Sequence, residues 1–470
     1  MRLLSILITL AALLRHDTGA FAQTNLANIP NPLIGTKQVL FFHGRTTPFV
    51  TPPFGMTHWT PQTRVSRIRV LNYHYDDKAI LGFRGSHKPA KWMGDYGHVS
   101  MMPGVDEIKT LAKDRKLHFS HKDENSKAFA YSVELKAEKN QRIKVEMTAT
   151  ERCGLLRFTF SEGSDPFILI EASENPDFEG WIKIDTSANE IIGYNADRNS
   201  AITGPEVPGF KGYFIIKFDK PLSEIGVWEG EKTHTNQLET KGTHIGAWIR
   251  PNDNVNVLQA KVGSSFISIE QARENLELEI PHFSYEKVEE ETRQTWENYL
   301  HRIEIEGGSE TDRSIFYSAM YHTLLFPRQF SEYGRYYSAF DDTIHQGVSY
   351  NDFSLWDTFR AQHPLLLFTA PEHVSGMVNA LIQMYEEGGY MPKWPNPTYT
   401  NIMIGTHADA VLADALVKGV KGIDLERAYA AVWKDAMVPP TGDSINHWHD
   451  RAPWTAYEAK ACLLRQRSRR

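Results

Sequence analysis

Two neighbouring stretches decide the fold of the second half of this 470-residue chain: SLWDTFRAQHPLLLF (residues 354–368) and MYEEGGYMPKWPNPTYTNIMIGTHAD (residues 384–409). Both interrupt apolar runs of helical character with polar and aromatic residues. They contain Trp356, Trp394, His363, His407, Arg360, Asp357, Glu386, Glu387 and Asp409. This mixture is typical of a functional site that lies in the loops of a helical scaffold.

The first half of the chain has a different period. Apolar residues alternate with polar ones over residues 142–149, 156–160 and 129–135, a repeat of two that predicts strands. Further strands are predicted at Phe167–Ile170, Trp181–Ile184, Gly212–Phe218 and Ile245–Arg250. Many short strands without intervening helices predict an antiparallel β-sandwich over residues 23–268.

After Ser268 the period becomes helical. Residues 269–310 form a predicted connector, and residues 311–470 form the predicted N-terminal part of an (α/α)6 toroid. Its expected helices include residues 374–385, which Gly388-Gly389 close, residues 408–418, and a helix that Asp424 caps and that runs through Trp433. A full toroid needs about twelve helices and well over 200 residues. We therefore expect the toroid to stay open and an apolar helical face to remain exposed.

The two ends of the chain differ in composition from the rest. Residues 1–22 combine Arg2, a short apolar run and Ala20-Phe21-Ala22, a pattern that predicts export to the periplasm or the medium. No later apolar run reaches the length of about 18 residues that a membrane span needs. The Arg-rich end, residues 462–470, is compatible with a solvated terminus, a tail for acidic partners, or a truncated reading frame, which we favour.

Composition excludes some classes of partner. The formal net charge of -7 provides no basic field for nucleic acid. Only two cysteines, Cys153 and Cys462, are present, and two separate thiols are favoured over a bridge. Eleven tryptophans and nineteen tyrosines favour carbohydrate, because aromatic faces stack on sugar rings, although most aromatics in any protein are core residues.

Several motifs carry a resemblance to a known family. They are NPLIGT (31–36), PFVTPPFGMTHWTPQT (48–63), GFRGSHKPAKWMGDYGHVSMMPG (82–104), SFISIEQARENLE (265–277), FYSAMYHTLLFPRQFSE (316–332) and the stretches quoted above. In order and spacing the chain resembles glycoside hydrolase family 92, the secreted, calcium-dependent α-mannosidases. The resemblance implies a sandwich, a helical connector and an (α/α)6 domain with the site between them. It also implies inverting hydrolysis of α-mannosides with Ca²⁺ at the sugar hydroxyls; the residues that hold the metal stay unknown.

The resemblance and the residue chemistry together give the candidate substrate-binding residues. We expect Asp357 to hydrogen-bond the terminal mannose; the alternative is that it caps the following helix. Trp92 and Trp394 are candidates for stacking on the sugar, and Trp356 and His87 complete the polar and aromatic set. His407 either binds substrate or, with Asp409, caps a helix.

The catalytic residues are unknown. The family's general-acid position aligns with Tyr399, and a phenol with a pKa near 10 is a poor acid. The family's base aspartates have no counterpart in this chain.

The predicted function is that of a secreted, exo-acting α-mannosidase of α-1,2 or related specificity, impaired in this form, whose partner is a mannose-containing glycan. One alternative is hydrolysis of a mannose-1-phosphate linkage, because phosphate leaves without an acid. Two others are a non-catalytic glycan-binding protein and a structural module. The oligomeric state is unknown.

Overall fold

The computed structural model describes residues 25–37, 46–198, 204–252 and 255–438. The predicted export signal and Cys462 lie outside these residues. Cys153 is buried as a free thiol.

The predicted β-sandwich is confirmed as two antiparallel sheets. The first has seven strands in the spatial order β1 (His58–Gln62), β3 (Gly82–Ser86), β4 (Val99–Val105), β9 (Pro166–Ser173), β16 (Ile245–Pro251), β13 (Leu222–Glu229) and β14 (Lys232–Thr235). The second has ten strands in the order β15 (Glu239–Gly242), β10 (Gly180–Asp185), β11 (Glu190–Asn195), β12 (Gly212–Phe218), β17 (Val257–Ser265), β8 (Cys153–Phe160), β7 (Arg142–Ala149), β6 (Ala130–Lys136), β5 (Leu117–Ser126) and β2 (Ala79–Ile80).

The apolar faces of the two sheets form one core. In β7 the alternating residues Ile143, Val145 and Met147 are fully buried, as the period of two requires for a sheet with one solvated face. They share a cluster with Ile168 and Ile170 of β9 in the other sheet. Burial of large apolar side chains between two sheets is the main stabilising contribution to this half of the protein.

The second half is helical, as predicted. Its helices follow the short α1 (Ala112–Arg115) of the sandwich: α2 (Ile269–Glu279), α3 (Tyr285–Leu300), α4 (Glu310–Thr323), α5 (Leu355–Thr358), α6 (Gln362–Thr369), α7 (Pro371–Gly388), α8 (His407–Val417) and α9 (Leu425–Met437). Two small two-stranded sheets lie between α4 and α5. One pairs β18 (Arg328–Gln329) with β21 (Tyr350–Asn351), and the other is a hairpin of β19 (Arg335–Ser338) and β20 (Thr343–Gln346). The 3₁₀ turns Leu26–Asn28 and Glu138–Asn140 complete the elements of the described residues.

The helix ends follow the capping residues in the sequence. Gly389 has a φ of +95° directly after α7, so it ends that helix in the left-handed conformation that glycine favours. The Asp424 carboxylate accepts hydrogen bonds from the backbone N–H groups of Glu426 and Arg427 and begins α9. The predicted end at Trp433 was one turn too early, because the helix continues to Met437.

Part of the helical surface is apolar. Phe368 is 75% exposed, Val417 88% and Tyr429 69%, on α6, α8 and α9 respectively. Over the described residues, no helix combines the length and the hydropathy that crossing a membrane requires.

A buried ion pair joins the two halves. Arg328 of β18 binds the Asp352 carboxylate through Nε, and its Nη1 donates to the Met56 carbonyl in the sandwich at 2.6 Å. The side chains of Arg328 and Asp352 are fully buried. Nearby, the Phe54 N–H donates to the Leu324 carbonyl and the Gln329 N–H donates to the Phe54 carbonyl, each at 2.8 Å. The loop Phe54–Met56 is thus held by the helical half.

We expect Arg328→Met to lower the free energy of unfolding by about 3–5 kcal/mol, because it leaves the buried Asp352 carboxylate without its cation. Urea unfolding followed by tryptophan fluorescence measures the loss. Arg427→Met is the matched control: its pair with Glu386 is largely exposed, so its loss is about 1 kcal/mol or less. Equal losses in the two variants would contradict a stabilising role for the buried pair.

Candidate functional site

A cleft of about 320 Å³ opens where the loop after β3 meets the helical half. The sandwich contributes residues from 89 to 92, and the helical half contributes the end of α4, the segment from Asp352 through α5, the start of α6, and the loop after α7. The residues that line the cleft include Trp92, His322, Asp352, Asp357, His363 and Trp394. The family resemblance implies a functional site between the two domains, and this cleft is the candidate for it.

Asp357 projects into the cleft as an exposed carboxylate. It lies in α5, where the Ser354 hydroxyl donates to its Oδ2 at 2.5 Å. The following helix, α6, begins after Ala361 without a side-chain cap, so Asp357 does not cap it. The carboxylate is held by one hydroxyl and retains further lone pairs for a ligand.

Trp394 and His322 offer further polar atoms to the cleft. Trp394 is 1% exposed, and its indole Nε1 has no hydrogen-bond partner among the described residues. His322 Nε2 is likewise buried without a described partner, and burial lowers the pKa of His322 to about 4. A neutral imidazole and an indole therefore line the cleft, and each holds a buried nitrogen without a described partner, which is unusual because unpartnered buried polar atoms cost free energy.

Asp352 forms the floor of the cleft. It accepts from Arg328, from the Tyr96 hydroxyl at 2.7 Å and from Asn396 Nδ2 at 2.9 Å. Burial raises the pKa of Asp352, an effect that Arg328 opposes. With both carboxylate oxygens engaged, Asp352 positions the walls of the cleft.

The loop that carries Trp92 is anchored at its base by a second buried ion pair. Asp95 binds Arg84 Nε at 2.8 Å and accepts the His87 N–H at 2.7 Å. Arg84 also pairs with Glu174 at 2.7 Å. Burial alone would raise the pKa of Asp95, but Arg84 holds it well below its usual range. The charged Asp95 thus fixes the backbone of the loop that carries Trp92.

His87 lies beneath the same loop, away from the cleft. It is 1% exposed, with Nδ1 at 2.6 Å from the Tyr96 carbonyl and Nε2 at 2.9 Å from the Thr57 hydroxyl. Burial lowers the pKa of His87 and of His98 to about 3. Both imidazoles are therefore neutral in the folded protein at pH 7.

Two further candidates lie beside the cleft without lining it. Trp356 is 37% exposed, with the Arg360 guanidinium 5.6 Å from its ring centre. His407 is the first residue of α8 and stacks on Phe359, with ring centres 4.4 Å apart. The structure thus brings Asp357, Trp92 and Trp394 together and leaves His87, Trp356 and His407 outside the lining.

Tyr399, at the position that the family resemblance assigns to the general acid, is a buried packing residue. Its hydroxyl donates to the Tyr390 carbonyl at 2.5 Å and accepts the Tyr390 N–H at 3.1 Å. Its ring packs against Phe340 and is 4% exposed. The phenol is not among the groups that line the cleft.

Among the described residues, one group has the spacing of a metal site: Asp341, His345 and Glu387. His345 Nε2 lies 2.8 Å from Asp341 Oδ2, and Glu387 already accepts hydroxyl donors from Tyr336 and Ser338. Calcium takes six to eight oxygen ligands. Two carboxylates and an imidazole do not fit that requirement, so this group is not assigned to calcium.

The sequence analysis missed the floor of the cleft. Asp352 precedes the first quoted stretch by two residues, and Arg328 lies in one of the motifs, yet neither was singled out. A charged residue directly after a strand, as Asp352 follows β21, was the available signal. The pairing itself is long-range in sequence and required the fold.

Comparison with known proteins identifies the relatives of the chain. Residues 31–265 match the sequence model of the glycosyl hydrolase family 92 N-terminal domain, and residues 271–462 match that of the family 92 catalytic domain. A curated relative from Arthroderma benhamiae, described as an uncharacterized secreted glycosidase, is 24% identical over 93% of this chain and 56% of its own length.

Solved structures agree. A family GH92 inverting mannosidase from Bacteroides thetaiotaomicron superposes with a TM-score of 0.83 at 32% identity, over 89% of this chain and 56% of the mannosidase. A GH92 α-mannosidase of the same bacterium, solved with mannoimidazole, gives a TM-score of 0.77 at 27% identity, over 88% of this chain and 56% of that one. The chain thus spans about half the length of these relatives.

The buried histidines predict a loss of stability at mildly acidic pH. Their pKa of about 3 in the fold lies below the value of about 6.5 in the unfolded chain, so protons bind the unfolded state preferentially. The contribution of these two neutral histidines to the free energy of unfolding is fully present above pH 6.5 and is lost as the pH falls towards 3. We expect the melting temperature to fall between pH 7 and pH 5, and less steeply in His87→Asn, which keeps a donor for the Tyr96 carbonyl but cannot titrate.

The exposed His282→Asn is the matched control for that measurement, and its pH profile should follow the wild type. Parallel profiles for all three proteins would show that burial of His87 does not govern the acid response.

Proposed function

The chain belongs to glycosyl hydrolase family 92, and we propose that its cleft binds the terminal mannose of an α-mannoside that the whole protein hydrolyses. The observation that carries this proposal is the composition of the cleft: an exposed carboxylate at Asp357 faces Trp92 and Trp394 across a cavity between the two domains. Sugar hydroxyls donate to a carboxylate, and the apolar face of the ring suits an aromatic wall.

In this proposal Asp357 accepts hydrogen bonds from mannose hydroxyls, Trp394 Nε1 donates one, and Trp92 covers the ring. The neutral His322 accepts a hydrogen bond from a sugar hydroxyl through Nε2. None of these groups transfers a proton to the glycosidic oxygen. They bind and orient the sugar, which lowers the entropic part of the barrier.

The catalytic acid and base remain unassigned. Inversion requires two carboxyl groups about 6.5–9.5 Å apart, with a water between them. The described lining of the cleft carries two, Asp352 and Asp357, and Asp352 is committed to Arg328, Tyr96 and Asn396. We therefore expect residues 23–470 to bind α-mannosides with turnover near the uncatalysed rate.

The burial of Tyr399 favours a second candidate, hydrolysis of a mannose-1-phosphate linkage. The hydroxyl is engaged by the Tyr390 backbone and supplies no acid to the cleft. A phosphate leaving group needs no such acid. Faster release of mannose from a mannose-1-phosphate diester than from a mannobiose would favour this candidate.

Export and calcium dependence complete the proposal. The relative from A. benhamiae is described as secreted, and residues 1–22 have the pattern of an export signal. Calcium is implied by the family resemblance, and no step is assigned to it, because the described residues do not provide its ligand set.

The mannose-binding role predicts that Asp357→Ala in residues 23–470 weakens binding of methyl α-D-mannoside at the cleft about tenfold or more, since hydrogen bonds to a charged group contribute about 1.5–3 kcal/mol. Isothermal titration calorimetry measures the affinity. Asp123→Ala, an exposed carboxylate on the sandwich, is the matched control. Unchanged affinity in Asp357→Ala, or calcium-dependent mannose release at enzymatic rates by residues 23–470, would contradict the corresponding part of the proposal.

Chelation tests the metal. We expect EDTA to lower mannose release by the protein secreted from its native host at least tenfold, and calcium to restore it, because an ion bound to the sugar hydroxyls would be lost and replaced. Mannose release that is indifferent to EDTA would refute the calcium requirement and leave the binding role of Asp357 intact.

A further inference from the structure

A second cavity, of about 560 Å³, lies on the sandwich. We call it the sandwich groove; its walls include Ser66, Glu171, Phe178, Arg198 and Trp228. Residues 65–68 form one wall of the groove. Lys88 Nζ donates to the Arg67 carbonyl at 2.8 Å, and the Arg69 N–H donates to the Lys91 carbonyl at 2.7 Å, which fastens this wall to the loop of Trp92.

Three buried polar atoms of the sandwich groove have no hydrogen-bond partner among the described residues. They are Glu171 Oε1, Arg198 Nε and Ser66 Oγ, whose residues are 6%, 4% and 4% exposed. Leaving such atoms without partners costs free energy, most of all for charged groups. Three of them along one cavity indicate that a polar occupant belongs there.

The hydrogen-bonding character of these atoms restricts the occupant. Glu171 binds Arg115 through Oε2 at 2.6 Å, and although burial alone would raise the pKa of Glu171, Arg115 holds it below its usual value. Glu171 also contacts the Glu174 carboxyl group. No N–H or O–H group of the described residues donates to Glu171 Oε1, which is an acceptor; Arg198 Nε is a donor, and Ser66 Oγ can act as either. An occupant must both donate and accept, as hydroxyl groups do and as a simple cation or anion does not.

The remaining walls are aromatic. Phe178 is half-buried, and Trp228 is 2% exposed with its indole N–H bonded to the Ala247 carbonyl at 3.2 Å. The floor is rigid, because Glu174 accepts the Ser66 N–H at 2.9 Å and pairs with Arg84. The volume lies within the range of about 300–1,000 Å³ that is usual for small-molecule sites. A hexose ring, with hydroxyl edges and an apolar face, matches such walls.

We propose that the sandwich groove is a second carbohydrate-binding site, which holds a hexose unit of the glycan whose end enters the cleft. Glu171 accepts from one hydroxyl, Arg198 donates to another, Ser66 bonds a third and Phe178 covers the ring. The choice of mannose as the hexose rests on the proposed function, whereas the polar and aromatic set of the groove does not depend on it. The site would retain the substrate near the cleft without taking part in bond cleavage.

The test is calorimetric titration of residues 23–470 with methyl α-D-mannoside, using variants of each cavity. In Asp357→Ala, which disables the cleft, we expect one set of binding sites to remain. Adding Ser66→Ala or Phe178→Ala to that background should weaken the remaining binding about threefold to tenfold each, the effect of one hydrogen bond or one lost ring contact.

The substitutions are chosen to preserve the fold. Ser66 Oγ has no partner to lose, and the main-chain carbonyl of Phe178, which accepts the Ser173 hydroxyl, is retained in alanine. Phe283→Ala is the matched control, because Phe283, in the loop between α2 and α3, is also half-buried but lies outside the groove.

The outcomes separate the two proposals. Loss of all binding in Asp357→Ala would overturn the second site and leave the cleft proposal standing. If Asp357→Ala leaves binding unchanged and Ser66→Ala and Phe178→Ala abolish it, the result would support the site in the sandwich groove and refute mannose binding in the cleft. A crystal soaked with the mannoside that contains only water in the groove would overturn the second site.

Discussion

The salt bridge between Arg328 and Asp352 is the constraint on which the arrangement of this protein depends. Neither charge has access to water, so each is tolerated only while the other is in place. Around the pair, one hydrogen bond reaches the sandwich at Met56, another reaches Tyr96, and a third reaches Asn396 in the loop after α7. Three segments distant in sequence thus converge on one ion pair, and the cleft lies beside it.

A second charged centre, Arg84 with Asp95 and Glu174, stands on the sandwich side. Asp95 holds the loop that carries Trp92, and Glu174 accepts the N–H of Ser66 in the wall of the sandwich groove. One arginine therefore supports the walls of both cavities. Because buried networks of this kind have few alternative arrangements, the two cavities have a fixed separation.

Local sequence patterns predict the elements whose formation depends on a few neighbouring residues. The alternation in residues 142–149 and the glycines after Glu387 predicted β7 and the end of α7, since pleat and cap depend on a few neighbours. The candidate site was harder, because a loop rich in polar residues does not reveal which side chains point inward. His87 and Trp92 lie five residues apart in one such loop, yet only Trp92 lines the cleft. The partnership of Arg328 with Asp352 spans 24 positions and follows from tertiary packing alone.

The packing of Tyr399 restricts the side chains that two positions of the chain accept. A β-carbon placed on Gly388 would stand 2.3 Å from the Tyr399 hydroxyl, so the glycine and the phenol are fitted to each other. Exchange of this tyrosine for another residue would leave the carbonyls of Tyr390 and Met384 without the hydroxyl that now bonds them. A side chain at position 388 would displace the phenol from the same place. A substitution at either position would therefore disturb the packing of the other.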